Sequence, residues 1–373
     1  MSDTTVATRN EYAPDMVSPP GETLLETLEE LGMSQAELAR RIGRPKKTVN
    51  EIVQGKAAIT AETALQFERA LGIPAKFWLT REAQYRESVA RLDECDQLHH
   101  WRDWLLELPL AIMRKRGLLT ATRDKSAQVL EALRFFGVDS PDAWRAVWEQ
   151  EAVAFRATTA ARDRLGKVAT WLRQGEIEAQ AIDCAPYDAE AFRAALTHIR
   201  ALTTASPDDF LPEMTRLCAE AGVAVVVTQE IPSAGVYGAT RWLSPTKALL
   251  QLSLHYKSDD QFWFSFFHEA AHILLHRKRE LFLIGAEPDS EEERQAHVFA
   301  ADMLIPPHEW RFFTHHTLDY TRATILDFAA RLGMAPGIVV GRLQHERLLG
   351  YDHYQDLKAR YAWAEDEGAA SEG

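Results

Sequence analysis

The string Phe262-Trp-Phe-Ser-Phe-Phe267-His268-Glu269-Ala-Ala-His272-Ile-Leu-Leu-His276 constrains this chain more than any other. Two histidines four residues apart fall on one helix face, about 6 Å apart along the axis. Both imidazoles can reach one tetrahedral metal ion, and Glu269 between them points near the open coordination position. The flanking residues are apolar, so two imidazoles and a carboxylate buried among them would be costly without a partner. The bland alternative, surface histidines on a helix, fits poorly beside Phe266, Phe267, Ile273 and Leu274. His276 lies about 12 Å along the axis from His268 and cannot share one ion with both histidines. It suits the negative end of the helix dipole.

A catalytic zinc needs a third protein ligand. The next helical run, from about Ser290 to Leu304, carries Glu291, Glu292, Glu293, His297 and Asp302, and stops at Pro306-Pro307. Most acids in such a run are solvated, so pattern alone leaves the choice among them open. Ala296 and Ala300 permit close packing of this helix on the one bearing the histidines. Upstream, Val223–Thr228, Val236–Leu243 and Ala248–Ser253 are short, partly β-branched runs separated by turn residues. They predict a small antiparallel β-sheet in a mainly α chain, an α+β fold.

His268-Glu-Ala-Ala-His272 followed by Glu293-x-x-Ala296-x-x-Phe299-Ala300-Ala301-x-x-Leu304-Ile305-Pro306 resembles the ImmA/IrrE family of zinc metallopeptidases over about residues 222–345. The resemblance implies Zn²⁺ held by His268, His272 and Glu293, with Glu269 as the catalytic base. His297 departs from the family, which usually has Asn or Asp there. It is a candidate for substrate contact, for support of the ligands, or for competition with them. Tyr237, Arg241, His297 and His308 are candidate oxyanion donors, and the strand Val236–Leu243 is a candidate for pairing with an extended peptide.

A second motif stands near the N-terminus. Ser34 and Glu37 form a capping box, Gly43 can end the helix they start, and Pro45 suits the first turn of the next. Leu38, Ala39, Ile42, Val49 and Ile52 are spaced to form the small core of a helix-turn-helix. The second helix then offers Lys46, Lys47, Thr48, Asn50 and Gln54 outward, residues suited to phosphates and base edges. Between Arg40 and Lys56 six basic residues face one acid, a local +5 within a chain of net charge −13. That balance excludes a uniformly basic nucleic-acid coat and leaves a local patch. Residues 21–85, including Glu51-Ile-Val-Gln-Gly55-Lys56 and Leu71-Gly-Ile-Pro74, resemble the Xre-type helix-turn-helix of HigA-like antitoxins. The resemblance implies a homodimer on a double-stranded DNA operator with two-fold symmetry.

The expected organisation is a flexible leader over 1–20, a DNA-binding domain over 21–85 and a helical connector over 86–220. The last helices of the connector would pack on the next domain. A zinc metallopeptidase core follows over 221–310, then a C-terminal helical subdomain over 311–362 and an acidic tail over 363–373. Ile325 to His345 repeats a helix–glycine turn–helix layout. Its second helix carries Val339, Val340 and Leu343, which favours a packing role over a second DNA reader. Cys95, Cys184 and Cys218 are far apart and odd in number, so they read as buried thiols in a reducing compartment. No run of 18 apolar residues and no secretory signal is found, so a cytoplasmic protein without membrane contact is expected.

Together these features predict a DNA-binding transcriptional regulator carrying a zinc endopeptidase. Its substrate would be a regulatory protein, a partner repressor or the chain itself, in a stress, phage or toxin–antitoxin circuit. The alternative is an antitoxin-like repressor whose metal is structural or sensory, with a toxin bound to the helical region and no proteolysis.

Overall fold

A computed structural model describes residues 18–152, 159–255, 257–276, 282–283, 290–317 and 319–363. Most of the expected leader, through residue 17, and the acidic tail from 364 lie outside them. The chain divides into two compact units, residues 1–102 and 103–373.

The first unit holds five helices among the described residues: α1 (Pro20–Glu30), α2 (Gln35–Arg41), α3 (Lys46–Val53), α4 (Ala61–Leu71) and α5 (Ala75–His100). Local signals act as the sequence implies. Ser34 Oγ accepts from the Glu37 amide at 3.2 Å, and Gly43 takes φ +68° to end the turn after α2. Leu38, Ala39, Ile42, Val49 and Ile52 are all buried, joined by Leu24, Leu28, Phe67 and Trp78. The expected boundary at residue 85 does not interrupt the chain, because Ala75–His100 contains no Gly or Pro and runs as one helix. Between Glu82 and Leu98 that helix buries nothing. Cys95 is accordingly exposed, against the expectation of a buried thiol, while Cys218 is buried and Cys184 half-buried.

The second unit is built on a four-stranded sheet of β1 (Val223–Val227), β2 (Gly238–Ser244), β3 (Lys247–Leu252) and β4 (Phe282–Leu283), in the order β1-β3-β2-β4. The α+β reading holds, but the sheet is mixed. β1 pairs in parallel with β3, while β2 is antiparallel to both β3 and β4. The ten residues between β1 and β2 are too many for a tight hairpin, so β2 is not tethered beside β1 and β3 inserts between them. Both faces of the central strands are buried. Val223, Val225, Leu250 and Leu252 face the main core, and Ala224, Val226 and Leu249 face the opposite side with Ala179. Such two-sided burial is what the continuous apolar run of β1 encodes.

Helices from the expected connector supply both coverings. They are α6 (Leu110–Lys115), α7 (Lys125–Phe136), α8 (Pro141–Ala152), α9 (Thr159–Gln180), α10 (Ala189–Arg200) and α11 (Pro207–Glu220). α9 lies close on β3, where Gly175 leaves room for the Gln251 side chain, whose amide donates to the Trp171 carbonyl at 2.8 Å. α10 and α11 bury Phe192, Leu196, Phe210 and Met214 in the main core. The same core takes α12 (Asp259–Leu275), α13 (Glu291–Leu304), α14 (Pro307–His316), α15 (Arg322–Leu332) and α16 (Pro336–His345). α16 buries Ile338, Val339, Val340 and Leu343, the residues a recognition helix would need to keep apart from a core. It packs on α12 and is a structural element of this unit.

Candidate metal centre

α12 positions the histidines because its aromatic face anchors it. Phe262, Trp263, Phe266 and Phe267 sink into the core, leaving His268, Glu269 and His272 buried beside α13. Ala296 and Ala300 on α13 are fully buried, and these small side chains let α13 approach α12 closely. Ser290 caps α13 by accepting from the Glu293 amide at 3.2 Å, which places Glu293 in the first turn, facing α12.

Three ligand atoms converge there. His268 Nε2 and His272 Nε2 lie 3.1 Å apart, and the Glu293 carboxylate oxygens are 3.0 Å from the first and 3.4 Å from the second. The ligand atoms of all three lie within 4.8 Å of one another. Burial pushes the Glu293 carboxyl up, but its bonds to the two imidazoles outweigh that and hold it at about 2. Burial lowers His272 to about 4, so its ring stays neutral well below neutral pH. Two imidazoles and one carboxylate aimed at a common point are a donor set that fits a metal ion such as zinc.

Glu269 is fully buried. Burial raises its carboxyl well above the ordinary range and the Glu293 charge adds to this, while the Thr240 hydroxyl on β2 pulls the other way. Thr240 was not singled out from sequence, since only the pairing of β2 brings it to α12. His276 also has a role that spacing along the helix axis conceals. It ends α12 in extended backbone, and its Nδ1 lies 2.9 Å from Nδ1 of His272, on the side of the ring away from Glu293.

The secondary candidates divide. His297 stays at the cluster, its ring 4.7 Å from that of His268 and its Nδ1–H donating to the Glu293 carbonyl at 3.0 Å. Arg241 is ion-paired with Glu176, Tyr237 stacks on His255 at 4.1 Å, and His308 is exposed beside Glu309. Strand pairing by a peptide along β2 also meets an obstacle. β3 occupies one edge, and Phe282 and Leu283 pair with Thr240 and Ala239 on the other.

In the first unit, Lys46, Lys47, Asn50 and Gln54 are exposed along α3 and Thr48 is half-buried. Val49 and Ile52 hold the opposite face of α3 in the core. Residues 24–78 match the helix-turn-helix family model, and residues 221–344 match that of the IrrE N-terminal-like domain. Virulence-associated protein I of Dichelobacter nodosus is 37% identical over 76 residues, covering 20% of this chain and 70% of that protein. The chain belongs to the helix-turn-helix family. The uncharacterized HTH-type transcriptional regulator YddM of Escherichia coli K12 is 32% identical over 80 residues, 20% of this chain and 85% of that protein. The Pseudomonas aeruginosa antitoxin HigA, solved with the higBA promoter, is 32% identical over 23% of this chain and 94% of its own, with a TM-score of 0.22. This helix-turn-helix protein is therefore a DNA-binding regulator joined to a domain of the M78 peptidase family. No single described helix is long and apolar enough to cross a membrane.

Proposed function

We propose that the regulator is a zinc-dependent endopeptidase as well as an operator-binding protein, with His268, His272 and Glu293 as the ligands and Glu269 as the base. The observation that carries this reading is the convergence of the two Nε2 atoms and the Glu293 carboxylate beside a buried, otherwise unexplained Glu269. A zinc ion held by His268, His272 and Glu293 would supply Lewis acidity, making water a better nucleophile near neutral pH. Glu269 takes the proton released as water attacks a peptide carbonyl and returns it to the departing amine. The raised proton affinity that burial gives Glu269 suits both halves of that task. His272, held neutral, keeps its lone pair for the ion.

On the DNA side, Lys46 and Lys47 serve phosphates, and Thr48, Asn50 and Gln54 read base edges of a two-fold operator bound by a homodimer. The substrate is a regulatory protein, a partner repressor or the regulator itself, cut in the connector between about residues 80 and 220. Cleavage within the exposed stretch of α5 would separate the DNA reader from the peptidase.

Glu269→Gln tests the reading, because it spares the ligands and removes the base. Purified wild type and variant are incubated with zinc, operator DNA and candidate repressors and read by intact mass. A discrete fragment from wild type alone, at equal metal content, is the expected result. No fragment from either, with equal operator binding, would replace the peptidase with a metal-bearing repressor.

A further inference from the structure

A cavity of about 500 Å³ opens beside the cluster, walled by α12, α13 and α16, with His268 and His297 at its border. Phe264, Val298 and Ile338 give it apolar walls. Val298 is 60% exposed, on the same helix that buries Ala296, Ala300 and Leu304. Three carboxylates also line the space, those of Asp260, Asp302 and Glu346. Asp302 is 39% exposed, and the Arg342 guanidinium approaches it only to 4.0 Å. Asp260 is 5% exposed; its Oδ2 pairs with Lys358 at 2.7 Å, whereas its Oδ1 accepts no hydrogen bond.

The one lysine or arginine in the wall is committed to the protein. Arg342 Nη1 donates to the carbonyls of Ala301 and Ile305 at 2.7 and 3.0 Å, and Nε donates to Glu346 at 3.1 Å. The guanidinium also lies over the Trp310 ring at 4.6 Å. The lining thus combines an apolar passage with carboxylates and presents its main cation already bound.

We propose that this cavity is the subsite for a side chain flanking the scissile bond, and that it selects lysine or arginine. The inference rests on the peptidase reading and names the substrate class of the same site. A long aliphatic stem would lie along Phe264, Val298 and Ile338, and its cationic head would reach Asp302. An acidic side chain would meet like charge, and a short apolar one would leave the carboxylates unanswered. α16, apolar enough to look like packing alone, supplies a wall of this recognition pocket.

Two measurements test it on the full-length zinc-loaded chain. In the first, a degenerate mixture of ten-residue peptides is digested and the fragments are read by mass spectrometry. Lysine and arginine are expected at one position next to the cut, enriched about tenfold or more, and Asp302→Lys shifts the enrichment toward glutamate. Cleavage without charge preference overturns the inference and leaves the peptidase reading standing. In the second, Glu269→Gln is titrated with two fluorescent peptides differing only by arginine or glutamate at that position. The arginine peptide should bind about tenfold tighter, and Val298→Trp, which fills the cavity from an exposed position, should remove the difference. Equal affinities overturn the inference even where nothing is cut. No fragment from wild type together with a clear arginine preference in binding would remove the peptidase reading and keep the pocket.

Discussion

Replacing His276 with phenylalanine is expected to weaken zinc binding about 10–100-fold while leaving the fold intact. His272 Nε2 faces His268 Nε2 at 3.1 Å and Glu293 at 3.4 Å, so a metal ion held there would take its lone pair and leave the ring proton on Nδ1. That Nδ1–H points at His276 Nδ1, 2.9 Å away, which accepts the bond. The bond therefore sets both the tautomer and the ring orientation of His272. Phenylalanine keeps the ring volume and loses the acceptor. The loss corresponds to about 1.4–2.7 kcal/mol of binding free energy at about 1.4 kcal/mol per tenfold. Equilibrium competition against a chromophoric zinc chelator at neutral pH measures it, with far-ultraviolet circular dichroism as the control for fold. Glutamine, whose side-chain oxygen can accept, should restore part of the affinity. A phenylalanine variant that binds zinc within about threefold of wild type, with an unchanged helical signal, would refute the argument.

Three further outcomes follow from other parts of the molecule. Burial pushes the Asp259 carboxyl from 3.8 up to about 6, with Asp260 adding repulsion. The folded chain thus holds this proton more tightly than the unfolded one, and the group destabilises the fold as pH rises through about 6. Asp259→Asn, which can still accept from the Asp260 amide, should exceed wild type in stability by up to about 3 kcal/mol at about pH 7.5. The gap should close by about pH 4 in thermal melts, and a gap constant with pH would contradict the assignment. Ala300→Leu overfills the seam between α12 and α13, where Ala300 is fully buried. It should cost about 1–3 kcal/mol and lower the zinc content by displacing Glu293 two turns upstream, read by melting and metal analysis; unchanged zinc content would mean that the seam does not set the ligand geometry. Against an operator selected from random duplex, Asn50→Ala should relax one base position at a cost of about 1–3 kcal/mol. Lys47→Ala should leave sequence preference alone and reduce the salt slope by about one. An Asn50→Ala variant with unchanged preference would move base reading to another face.

Much of this protein is written in short-range chemistry. Ser34 with Glu37, Gly43, and the spacing of Leu38, Ile42, Val49 and Ile52 specify the helix-turn-helix, because caps, turns and amphipathic faces are decided within a few residues. The pairing of His268 with His272 is equally local, since four residues of helix bring two side chains to one face. Glu293 was reached only through the resemblance: three adjacent acids offer the same chemistry, and the capping by Ser290 and the alanine seam decide which of them faces α12.

Whatever depends on which elements become neighbours lay beyond the sequence. The parallel pairing of β1 with β3 follows from where β3 inserts, which no local pattern states. Packing of the last connector helices on the next domain is legible, but helical periodicity reports an apolar face and not the partner that covers it; α9, α10 and α11 cover the two faces of the sheet. Arg241 pairs with Glu176 and Tyr237 stacks on His255, contacts between residues distant in sequence. His276 was assigned to the helix dipole because axial distance was taken as reach, whereas the end of α12 turns its ring back onto His272. Local chemistry decided which residues can bind metal and DNA. Tertiary packing decided which of them meet, because convergence of side chains from separate elements is a property of the assembled core.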